Sequence, residues 1–149
     1  MRAVCATVLT LSLALTALAA TVPAIQPNPP PYRVIVHPDN PLTAVEQPFL
    51  RDAFLRKATR WPNDTVIYPV DQRPGSAARS RFTEELLRRS VGAVKAYWQQ
   101  QIFSGRDVPP PEFAGDDQVV AYVRKHPGAI GYISGTFPLA GVRIVHVRP

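Results

Sequence analysis

A short apolar run that ends in a proline–glycine turn and reopens as a helix constrains this chain more than any other stretch. Val66-Ile67-Tyr68-Pro69-Val70 reads as a short buried strand bounded by turn signals. Asp71 to Gly75 makes the turn, punctuated by Pro74-Gly75. Ser76 is a favoured helix N-cap, and Ala77-Ala78 opens the helix behind it. A helix start exposes unpaired backbone N–H groups and the positive end of the dipole, so it attracts anions. Arg79 and Arg81 place cations in the first turns, where that dipole disfavours them. An anion wanted by both the amides and a guanidinium would resolve the conflict. The same residues also suit an ordinary capped helix whose arginines point into water.

The other end of the chain limits where such chemistry would take place. Met1-Arg2 is a short basic start, Ala3 to Leu15 is apolar, and Ala17-Leu18-Ala19 is an A-x-A cleavage site. Residues 1–19 therefore read as a secretory signal peptide, with Ala24 as a second cleavage point. The apolar run is short for a membrane span, which needs about 20 residues. The expected location is periplasmic or secreted, and nucleic acid is excluded as a partner on that ground. The single cysteine, Cys5, lies inside the leader. The mature chain then has no disulfide, metal thiolate or cysteine nucleophile. Residues 20–32, with Pro23, Pro27, Pro29, Pro30 and Pro31, read as an extended linker.

The remaining residues, 33–149, are enough for one domain with one core. Arg33 to His37 is the first strand. A helix follows from Glu46 or Pro48 to Arg56, with Phe49, Leu50, Ala53 and Phe54 at helical spacing. Ala77 to Arg89 is amphipathic through Phe82, Leu86 and Leu87. Ser90 caps a helix from Val91 to Phe103, with Val94, Tyr97, Trp98 and Phe103 inward and Gly105 as its stop. Val108 to Glu112 is a proline loop. Asp116 or Asp117 caps a helix with Val119, Val120, Tyr122 and Val123 inward. Ala129 to Ile133 and Val142 to Val147 are the last strands, the second half exposed and suited to an edge. This order implies an α/β layer around a short mixed sheet. The net charge of +6 permits an anionic partner, and also suits a solvated basic surface.

No catalytic or cofactor constellation is legible. His37, His126 and His146 lack metal-ligand spacing, and Ser76 has neither a G-x-S-x-G context nor a histidine partner. The chain reads as a non-enzyme without cofactor or metal.

Several landmarks taken in order resemble the phosphate-binding proteins of bacterial ABC transporters. Phe54-Leu55-Arg56-Lys57 through Trp61 to Asp64 is similar to their F-L-G-K-x-x-x-W-x-D stretch. Pro69-Val70-Asp71 followed by Gly75-Ser76 resembles their strand and R-x-x-G-S-G-T turn. Ala96-Tyr97-Trp98, Phe103-Ser104-Gly105 and Pro127-Gly128-Ala129-Ile130-Gly131-Tyr132 are similar to later landmarks. The resemblance implies a single lobe of a type 2 periplasmic binding protein, a short mixed sheet flanked by helices. It also implies an exported binder of phosphate or another small oxyanion, with a transporter permease as partner. Family members have two lobes around the ligand, and this sequence has length for one. The family's G-S-G-T reads Gly75-Ser76-Ala77-Ala78 here, and Gln72 stands where the family has its phosphate-binding arginine. The expected ligand set is Gln72, Arg73, Gly75, Ser76, Ala77, Ala78 and Arg79, with Arg73 or Arg79 supplying the missing charge. Half a cleft implies weak binding by a monomer, tightened by a weak homodimer or a separate partner. The rival expectation is an envelope interaction module, docking on a porin or sensor, that has lost its ligand.

Overall fold

In a computed structural model, residues 28–149 are described. The expected signal peptide and most of the expected linker lie outside them. The element order is β1 (Tyr32–Val36), β2 (Ala44–Glu46), α1 (Gln47–Phe54), β3 (Tyr68–Pro69), β4 (Asp71–Gln72), α2 (Ala77–Glu85), α3 (Val91–Phe103), β5 (Glu112–Phe113), α4 (Asp116–Lys125), β6 (Ala129–Ser134), β7 (Arg143–Ile144) and β8 (His146–Arg148).

The main sheet runs β3-β6-β1-β7. The β1 strand is antiparallel to both neighbours, and β3 is parallel to β6. Alternation along β1 and β6 divides the apolar side chains between two faces. Val34, Val36, Ile130 and Tyr132 join Phe54, Phe82 and Trp98 of α1, α2 and α3. Ile35, Ala129 and Ile133 join Val119, Val120 and Val123 of α4. The result is the expected α/β fold, with helices on both faces of a short mixed sheet. Gly131 sits where α4 crosses closest: a Cβ there would meet methyls of Val119 and Val70 at 2.8 Å. Among the described residues, no helix is long and apolar enough to cross a membrane.

The caps read from sequence are in place. The Ser76 and Ser90 hydroxyls accept from the N–H groups of Arg79 and Ala93. Gly105 takes a left-handed φ of 64° after α3. Arg56 takes the same region after α1, at φ 55°, the position where the resembling family carries glycine.

Five expectations need correction. The 66–70 run is not a buried strand: it holds the two-residue edge strand β3, with Val66 and Tyr68 exposed. Asp71-Gln72, read as turn, and Glu112-Phe113, at the end of the expected proline loop, pair in parallel as β4 and β5. The 142–147 run divides, with β7 at the edge of the main sheet and β8 parallel to the unforeseen β2. The N-cap of α4 is Gly115, and Asp116 and Asp117 lie in its first turn. Phe103 is 91% exposed rather than inward. It lies nine residues beyond Val94, about 2.5 turns at 3.6 residues per turn, on the opposite side of α3.

Candidate functional site

The C-terminal end of β6 meets β4, of the separate β4–β5 pair, and the starts of α2 and α4 at one end of the main sheet. Gln72 ties them together. Its amide nitrogen donates to Asp116 Oδ1 at 2.7 Å and to the Tyr132 carbonyl at 3.0 Å. Its amide oxygen accepts from the Ser76 hydroxyl. Asp116 Oδ1 also accepts from the Ser134 N–H at 3.1 Å. A buried polar side chain must satisfy its hydrogen-bonding groups, and Gln72 spends all of its own inside the fold.

Beneath this end of the sheet lies a second polar cluster. Asp71 Oδ1 accepts from the Tyr132 hydroxyl, from Arg79 Nη1 at 2.5 Å and from the Gln72 N–H at 2.9 Å. Arg79 Nη1 also donates to the Gln72 carbonyl at 2.6 Å and approaches Glu112 at 3.4 Å. Burial pushes the Asp71 carboxyl above its ordinary range, against the downward pull of Arg79, the Tyr132 hydroxyl and the Gln72 N–H. Burial and the Asp71 charge likewise push the Tyr132 phenol up. Tyr132 stacks on Phe82 with ring centroids 3.9 Å apart, so the ion pair is held against the aromatic core.

The seven expected ligand residues therefore separate. Gln72 is buried and has no free donor. Arg79 is 3% exposed, with its charge committed to Asp71. The Ser76 hydroxyl caps Arg79 and bonds Gln72, and the Ser76 N–H is taken by the Arg73 carbonyl at 3.1 Å. Gly75 is exposed, with its N–H on the same carbonyl. The Ala77 and Ala78 N–H groups stand at the helix start without an acceptor among the described residues, Ala77 exposed and Ala78 buried in the core. Arg73 is exposed and has no carboxylate partner among the described residues. What remains for an anion is a pair of amides at the positive end of α2 with one solvated guanidinium in the turn before them. The Asp116 carboxylate, one side chain removed through Gln72, opposes that charge.

The sequence reading missed Asp71, Tyr132 and Glu112, and took Asp116 for a cap. A signal for the first was present. Arg79 shares its helix stripe with Phe82 and Leu86, which are both buried. A guanidinium on a buried stripe requires a carboxylate, and Asp71 stands eight residues upstream, before the 73–76 turn.

Comparison with solved structures shows the class of fold, an α/β periplasmic-binding-protein-like architecture. A phosphate ABC transporter substrate-binding protein from Clostridium perfringens, solved with phosphate bound, matches 78% of this chain with TM-score 0.61 and 23% identity. An ABC-type phosphate transport receptor from Vibrio cholerae matches the same share with TM-score 0.60 and 19% identity. PstS from Borrelia burgdorferi does so with TM-score 0.61 and 16% identity. The matches cover 44%, 45% and 47% of those chains, so this chain spans under half their length. No family model and no curated protein sequence matches it.

Proposed function

We propose that this chain is a non-enzymatic, exported binder of a small oxyanion, phosphate first among them, at the start of α2. The observation that carries the reading is the start of α2, where the N–H groups of exposed Ala77 and buried Ala78 make no hydrogen bond among the described residues and exposed Arg73 stands in the turn before them. The solved proteins of similar fold support it, since they are phosphate-transport binding proteins. On this reading Ser76 and Gln72 hold the turn in shape, and Arg73 rather than Arg79 supplies charge. A transporter permease is the partner that the likeness suggests.

The site is open on one side, where charges are screened by water. Binding by a monomer is expected near the millimolar range, about 4 kcal/mol. Calorimetric titration of phosphate, with the mass measured on the same sample, tests this. Arg73→Ala should weaken binding by about tenfold, the loss of one charge-assisted contact, and leave stability unchanged within about 0.5 kcal/mol. Ser76→Ala should cost about 1 kcal/mol of stability through the lost cap. Absence of phosphate binding, or binding indifferent to Arg73→Ala, would reject the site.

A further inference from the structure

A pocket lies at the opposite end of β1, past Val36, while the α2 start lies toward the Tyr32 end. The five residues of β1 put roughly 15 Å between the two ends. His37, Asn40, Trp61, Asn63 and Thr65 line it, with Asp39 at the rim. Its volume is about 160 Å³, space for a molecule of several heavy atoms. It shares no residue with the site proposed above.

The hydrogen bonds around this pocket are one-sided. His37 is buried, and its Nδ1 accepts the Asp39 N–H at 3.1 Å, which leaves the ring proton on Nε2. Asn40 is buried too, and its amide oxygen accepts the Leu42 N–H at 2.9 Å. The Asn63 amide oxygen accepts the Thr65 N–H at 3.2 Å. In each side chain the acceptor is consumed by local backbone. That fixes which way both amides point, and leaves three donors with no partner among the described residues. The Trp61 indole N–H is spent on the Gly128 carbonyl at 3.0 Å, so Trp61 offers only its ring. The Asp39 side chain is 84% exposed and sets a negative charge at the mouth.

We propose that this pocket binds a small monocarboxylate, between acetate and a short hydroxy acid in size. The oxygens would accept from His37 Nε2–H and from the Asn40 and Asn63 amides, with the carbon end against Trp61. The charge of Asp39 opposes any anion and a doubly charged one more strongly, so the pocket favours a monoanion over the phosphate dianion.

Acetate titration of the ¹⁵N-labelled protein, followed by amide and indole shifts against sodium chloride at equal ionic strength, tests the proposal. Saturable shifts are expected at the Trp61 indole and at the amides of Asn40, Thr65 and Gly128. Asn63→Asp keeps an oxygen for the Thr65 N–H and replaces the outward donor with a negative oxygen. It should weaken acetate by about tenfold or more, as a hydrogen bond becomes a repulsion. Asn40→Asp applies the same logic from the other wall, should the first variant misfold. The proposal fails if acetate moves none of these signals, if both variants titrate as the wild type does, or if acetate moves only Ala77 and Ala78. Phosphate is expected to shift Ala77 and Ala78 alone, so the two sites are judged separately.

Discussion

Arg79→Met should cost about 3–5 kcal/mol of folding stability, because it leaves the Asp71 carboxylate buried without its cation. The loss should grow with pH. In an unfolded chain an aspartate titrates near about 3.9. Burial already holds the folded Asp71 above its ordinary range, and Arg79 is the strongest opposing influence. Without Arg79 the folded value climbs further. A carboxyl bound more tightly to its proton in the folded state favours folding where it is protonated, and that advantage disappears as pH rises through the folded value. The gap between wild type and Arg79→Met therefore opens as pH rises through the raised wild-type folded value and widens until the still higher value of the variant is passed, as urea denaturation at a series of pH values would read. Asp71→Leu combined with Arg79→Met should lie closer to wild type than either single change, since the pair then leaves no orphan charge. A single-variant loss under about 1 kcal/mol would mean that the pair is open to water.

The same residues explain what could be read from the sequence. Helix positions were legible where a side chain acts on its own backbone: Ser76 and Ser90 cap, and Gly105 stops. The division of hydrophobic residues around β1 and β6 was legible because strand period and burial agree there. The two-residue strands β4 and β5 were not, because two residues carry no period, and their pairing spans the whole α2–α3 excursion. The proposed anion site was half legible. The helix entrance is where it was expected, yet the nearest guanidinium serves the fold instead of a ligand. Helix-end physics places Arg79 within reach of an anion; the stripe it shares with Phe82 places it under the end of the sheet. Burial wins because Asp71 removes most of the desolvation cost that would otherwise expel the charge. The guanidinium left over is Arg73, which lies outside any periodic segment.

Phe82→Ala should damage the support of that entrance about as much as Arg79→Met. Phe82 is fully buried, stacked on Tyr132 at 3.9 Å, with Phe54 tilted against it at 4.6 Å and Tyr32 edge-on at 5.6 Å. Truncating a buried phenylalanine costs about 3–5 kcal/mol in lost transfer energy and cavity. Phe82→Leu retains most of the apolar area and should cost about 1–2 kcal/mol, much of it the aromatic geometry. The Tyr132 ring that faces Phe82 carries the hydroxyl bonded to Asp71. A cavity on one side of that ring frees it to tilt, and a tilt withdraws a donor from the buried carboxylate. Phe82→Ala should therefore couple to Arg79→Met, with a double-variant loss that departs from the sum of the singles by more than about 0.5 kcal/mol. Strict additivity in denaturation would separate the aromatic stack from the ion pair, and would leave the α2 entrance held by Ser76 and Gln72 alone.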